Sequence, residues 1–152
     1  MGTLVLGLGN PVLSDDSVGI KVTQALRGRV RPEVTVVESS VGGLDFLDLL
    51  AGYDKAIIVD AIQTENGKPG QIRRLEPEAL KATRHVNNPH DLDFPTAIEL
   101  GKKLNLSMPE DITIFGIEVQ EVMTLSEDCT PEVEQAIPVC VDLVLHELQS
   151  ED

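Results

Sequence analysis

Leu4-Val-Leu-Gly-Leu-Gly-Asn-Pro-Val-Leu-Ser-Asp-Asp-Ser-Val-Gly19 is the stretch on which the fold turns. Its apolar run stops at Gly9-Asn10-Pro11. Two adjacent carboxylates, Asp15 and Asp16, follow. Val18, Val22, Ala25 and Leu26 then recur at helical spacing. This reads as strand, loop and helix, with acid at the mouth of the loop. In α/β proteins ligands bind outside the carboxyl ends of the strands, where such a loop sits.

Working outward, Thr3–Gly9 is nearly continuous in apolar residues, as a buried parallel strand requires. Ser17–Arg27 follows as a helix, Val34–Val37 as a second strand ending at Glu38, and Leu44–Leu50 as a short helix after Gly42-Gly43. Lys55–Ile62 is the clearest strand and carries Asp60 at its end. Gln71–Glu76 alternates weakly and reads as an edge strand. The link before it is too short for a crossover helix, so it runs antiparallel to Lys55–Ile62. Pro77–Arg84 suggests a helical turn, and His85–Phe94 is irregular and polar.

Thr96–Leu106 predicts a helix with Ala97, Leu100 and Leu104 on one face, and Asp111–Val119 a fifth strand. Glu121–Asp128 is an acidic loop. Thr130 and Pro131 open a last helix with its stripe at Val133, Ile137, Val141, Val144 and Leu148, bent at Pro138. The order β-α-β-α-β-β-α-β-α predicts one domain over 1–152. It is a three-layer α/β/α architecture with a five-stranded, mostly parallel sheet and one antiparallel strand.

Twelve basic residues against 26 acidic ones give a net charge of −14. A polyanion is repelled and no basic stripe is present, which argues against nucleic acid and an anionic membrane surface as partners. Apolar stretches fall well short of the roughly 20 residues that span a bilayer. No signal-peptide pattern opens the chain, and the two cysteines, Cys129 and Cys140, form no C-x-x-C. The expectation is a reduced, cytoplasmic protein. Cys140 reads as core filling. Cys129 lacks a basic neighbour to activate it.

Asp15 and Asp16 after the first strand, Glu38 and Asp60 at the ends of the second and third, and His90 in the irregular loop gather carboxylates and an imidazole near strand ends, a set that suits a divalent transition metal or general acid/base work. Each has a plainer reading. Asp16 could cap the helix and Asp15 be a solvated loop residue. Asp60 could be structurally paired, and His90 could sit on plain surface. His85 and His146 read as ordinary. The patterns G-x-G-x-x-G, G-x-x-x-x-G-K-[ST] and G-x-S-x-G are absent, so dinucleotide, phosphate-loop and serine-hydrolase chemistry lack their signatures.

The stretch Gly7–Gly19 resembles the opening motif of the nickel–iron hydrogenase maturation proteases, roughly G-x-G-N-x-L-x-x-D-[D/E]-G-x-G. Val59-Asp-Ala-Ile62 and Pro89-His-Asp-Leu92 are similar to the family's second carboxylate and loop histidine, in the same order. The likeness runs on through Gly116-Ile-Glu-Val119 and the Thr130-Pro-Glu-Val133 helix. Ser17 departs from it, standing where the family usually has Gly. Any strain this causes should be modest if that Gly served only the backbone. If it gave clearance to substrate, the loop here must differ.

The resemblance implies a phosphorylase/hydrolase-like α/β fold. It implies an endopeptidase that trims a short C-terminal peptide from the hydrogenase large-subunit precursor after nickel insertion. Asp16, Asp60 and His90 would be the catalytic and metal-engaging residues. Nickel would be carried by the substrate, with no organic cofactor, and the protease is expected as a monomer. Glu38, Gly42 and Gly43, at the neighbouring strand end, are weaker candidates for holding the precursor's tail. A non-hydrolytic nickel-binding chaperone or interaction module with the same ligands stays open, as does an unrelated metallohydrolase, though H-E-x-x-H is absent.

Overall fold

The computed structural model describes residues 2–9, 12, 14–39, 45–64, 66–76, 84–85, 94–120, 125–126 and 128–149. Its strands are β1 (Thr3–Leu8), β2 (Val34–Ser39), β3 (Lys55–Gln63), β4 (Ile72–Leu75), β5 (Arg84–His85) and β6 (Asp111–Glu118). Its helices are α1 (Val18–Leu26), α2 (Asp45–Leu50), α3 (Phe94–Lys103) and α4 (Pro131–Gln149), with a 3₁₀ turn at Ser14–Ser17 before α1. No helix among the described residues is long and apolar enough to cross a membrane.

The main sheet has the order β2-β1-β3-β6-β4. β1, β2, β3 and β6 are parallel, and β4 is antiparallel to β6. The three-layer mixed sheet read from the sequence is therefore present. β4 does run opposite to β3, but its neighbour is β6. A short link sets a strand's direction without choosing its partner. The two-residue β5 adds an antiparallel pair to the end of β3, with Ile62 opposite His85 and Gln63 opposite Arg84, where the sequence suggested the end of a helical turn and the start of an irregular stretch.

Side-chain alternation sorts the core into two layers. Val5, Ile57, Val59, Phe115 and Ile117 face the α1–α4 side with Val22, Leu26, Val141 and Val144. Leu4, Leu6, Leu8, Ile58 and Ile114 face the other side with Leu50 of α2 and Ile98 of α3. Both faces of β1 and β3 are covered, hence their unbroken apolar reading.

Three local expectations change. The 3₁₀ turn takes Ser17, so α1 starts at Val18. α3 ends at Lys103, because Asn105 adopts a left-handed φ of 62°. Asn105 N–H bonds to Lys102 C=O at 3.1 Å and Leu106 N–H to Gly101 C=O at 3.0 Å, a C-terminal cap pattern. Leu104 thus falls in the turn and is exposed, while Ile98 is buried. α4 runs through Pro138, its stripe widened by Ala136 and Cys140, with Ile137 only partly buried. The reading of Pro77–Arg84 as a helical turn lies almost wholly outside the described residues.

α1 approaches the sheet through two glycines. A Cβ on Gly7 would lie 2.5 Å from Gly19 C=O and 2.6 Å from Thr23 Cγ2. A Cβ on Gly19 would lie 2.5 Å from Leu8 C=O and would also collide with Val59 C=O. Backbone atoms cannot yield as a side-chain tip can, so Gly19→Ala should destabilise the fold by about 1–3 kcal/mol. Urea denaturation checks this; an unchanged midpoint would contradict the close approach.

Candidate active site

Asp16 owes its position to the turn after β1. Gly9, with φ 150°, lies directly beneath Asp16, and a Cβ there would collide with the Asp16 carbonyl. The acids of the 3₁₀ turn are thereby folded back over the end of their own strand. The cap position of α1 is Ser17, which makes no side-chain cap bond, so the reading of Asp16 as the helix cap does not hold. Ser17 has φ −81° and ψ −3°, an ordinary conformation, so serine at this position carries no backbone strain. Its hydroxyl is buried and donates to Ser14 C=O at 2.6 Å.

Asp60 comes from the neighbouring strand. Gly7 pairs with Val59 across β1 and β3, and Asp60 is the next residue toward the carboxyl end. Ala61 N–H donates to its Oδ1 at 2.8 Å. Asp16 and Asp60 are 2% and 1% exposed. The chain leaves β1 toward β2 on one side, while β3 connects onward to the other half of the sheet. The crevice between β1 and β3 is therefore the topological switch point, where open α/β sheets bind ligands. Both carboxylates stand at its carboxyl end.

The other sequence candidates divide. Glu38, opposite Gly7 on β2, gives its carboxylate to Arg27 of α1, with Oε1 3.1 Å from Nη2. His90, Gly42 and Gly43 lie outside the described residues. Among the described residues, no group of three or more His, Cys, Asp and Glu side chains is arranged to hold a metal ion.

Two buried carboxylates have roles that the sequence concealed. Asp15 is fully buried rather than solvated. Its Oδ1 accepts from Thr130 N–H at 2.6 Å and its Oδ2 from Gln120 N–H at 3.0 Å. The Thr130 hydroxyl lies 3.0 and 2.9 Å from the two oxygens. Glu118, also buried, accepts from Thr64 N–H at 3.0 Å, from the Thr64 hydroxyl at 2.5 Å, and from Arg73 Nε at 2.8 Å. The apolar run before Glu118 marked it as buried, but not what it would bind. The Asp15 loop is also laced to the acidic loop. Ser126 N–H donates to Val12 C=O at 2.9 Å and Ser14 N–H to Ser126 C=O at 2.8 Å, leaving Val12 and Leu125 exposed on the rim.

A family model described as HycI: Hydrogenase maturation protease matches residues 20–147. The chain belongs to the hydrogenase maturation protease family. The hydrogenase 2 maturation protease of Escherichia coli K12 is 29% identical over 153 residues, 98% of this chain and 92% of that protein. Among solved structures, the hydrogenase maturating endopeptidase HybD from E. coli superposes with a TM-score of 0.84 at 26% identity, covering 99% of this chain and 93% of that one. The NiFe hydrogenase maturation protease HybD from Thermococcus kodakarensis gives 0.71 at 25% identity, covering 96% and 98%. The protein is thus an endopeptidase of hydrogenase maturation.

Neither cysteine of this maturation protease is poised for nucleophilic work. Burial pushes the Cys140 thiol up to about 12. Burial also raises Cys129, against the opposing pull of the Ser17 hydrogen bond and of Lys21. A basic neighbour is therefore present, contrary to the sequence reading, but desolvation wins. The folded protein holds both protons above the ordinary value of 9.0, so the stability they contribute is lost as pH rises past 9, for Cys140 up to about 12. At pH 8, iodoacetamide should leave Cys140 unlabelled and react with Cys129 more slowly than with a free thiol, while denaturant opens both. Mass spectrometry reads the adducts, and fast native labelling at Cys129 would contradict the protonated state.

Proposed function

We propose that this endopeptidase removes a short C-terminal peptide from the nickel-loaded precursor of a NiFe hydrogenase large subunit, engaging the substrate's nickel through Asp16, Asp60 and His90. The observation that carries this reading is the pair of buried carboxylates, Asp16 and Asp60, at the carboxyl ends of adjoining strands. Both acids stand at the switch point of the sheet, and a divalent ion brought by the substrate would be held by the two together. Nickel accepts carboxylate and imidazole ligands, and three protein groups leave coordination positions for the substrate. Protease and unloaded precursor would each supply only part of the coordination shell, so metal insertion becomes the condition for cleavage.

In this reading Asp16 is also the base for the attacking water. The residues of the Gly42-Gly43 loop and Glu38 hold the tail of the precursor, with Glu38 exchanging its Arg27 partner for substrate.

The test is to mix the protein with purified large-subunit precursor, with and without nickel, and follow the precursor by mass spectrometry. Loss of a C-terminal peptide is expected only from the nickel-loaded form. Asp16→Asn should lower that rate by about 100-fold or more and leave the unfolding midpoint within a few degrees. Rapid processing by that variant would sink the assigned role. Binding of the nickel-loaded precursor by the unmutated protein with no change in its mass would favour a non-hydrolytic nickel-binding module instead.

A further inference from the structure

The buried carboxylate of Asp15 has no part in the reading above, although it holds distant chain to the turn that carries Asp16. Asp15 ties its own turn to two points more than a hundred positions further along the chain. It sits in the 3₁₀ turn beside Asp16, and it holds Gln120 after β6 and Thr130 before α4. A carboxylate only accepts hydrogen bonds, and here three donor groups converge on its two oxygens. Those partners are the two ends of the 120–130 loop. The loop is fastened again by Ser126 on Val12 and Ser14, and by the Ser14 hydroxyl on Asp128 C=O at 3.1 Å. A displacement of the loop therefore pulls on the turn that carries Asp16.

We infer that Asp15 is a positioning residue. By stapling Gln120 and Thr130 to the 3₁₀ turn, it holds Asp16 at the end of β1 beside β3. The inference rests on the proposed engagement of nickel by Asp16. Its physical basis is that outer partners of a ligand set its geometry, and that their loss costs about 10–100-fold in metal affinity or activity. An amide in place of the carboxylate keeps the size but turns a donor toward an N–H. Asp15→Asn therefore loosens the staple without opening a cavity.

The experiment compares the unmutated protein with Asp15→Asn, Thr130→Val and Thr130→Ser. It measures kcat and KM on nickel-loaded precursor, the Kd for cadmium ion alone by calorimetry, and the unfolding midpoint. Asp15→Asn should lower kcat and weaken cadmium binding by about 10–100-fold, with KM changed less than about threefold. Thr130→Val should fall part of the way, and Thr130→Ser, which restores the hydroxyl, should match the unmutated protein. Unchanged kcat and cadmium affinity in a folded Asp15→Asn would overturn the inference. So would equal damage in Thr130→Val and Thr130→Ser. If Asp15→Asn does not fold, the valine and serine pair decides the matter, because both keep the carboxylate. If the unmutated protein cleaves nothing, the functional reading fails separately, and the cadmium series still tests Asp15.

Discussion

At Gly9, after β1, and at Gly19, in the first turn of α1, backbone packs on backbone with no room for a side chain. Gly9 lies under the carbonyl of Asp16, and Gly19 is pressed against the carbonyls of Leu8 and Val59. Because these contacts are backbone to backbone, the turn cannot drift outward without losing its seat. That constraint keeps Asp16 at the same strand end as Asp60. A larger residue at either glycine would lift the turn and widen the crevice, whatever the acids themselves did.

Four carboxylates are buried among the described residues of this strongly acidic chain, and their surroundings differ. Asp15 and Glu118 are enclosed by donors from distant segments, and each closes a loop: Asp15 the 120–130 loop, Glu118 the turn between β3 and β4. Asp16 and Asp60 instead stand at the switch point of the sheet. The division follows from neighbours: donors from distant segments make staples of Asp15 and Glu118, whereas Asp60 accepts from the N–H of the adjacent Ala61.

The strands were legible because burial on both faces leaves an unbroken apolar run, as in Leu4–Leu8 and Ile57–Val59. Asp60 was legible because an acid at the end of such a run is conspicuous, and the family resemblance singled out Asp16 from the Asp15–Asp16 pair. Pairing beyond direction was not legible: nothing in Ile72–Leu75 says that its neighbour is β6. The exposure of Leu104 was also hidden, since it depends on the left-handed turn at Asn105. The role of Asp15 was least legible of all. Its partners, Gln120 and Thr130, stand over a hundred positions away, and no local pattern links them. Cys129 shows the converse, where a neighbour absent from the local sequence, Lys21, is close in space yet loses to burial.

In the proposed function Asp16, Asp60 and His90 hold one cation. Crystals of the protein soaked in cadmium or nickel should show the principal peak of the anomalous difference map bounded by the carboxylates of Asp16 and Asp60, with the His90 imidazole as the third ligand. A peak elsewhere, with the Asp16 and Asp60 side chains too far apart to share an ion, would contradict it.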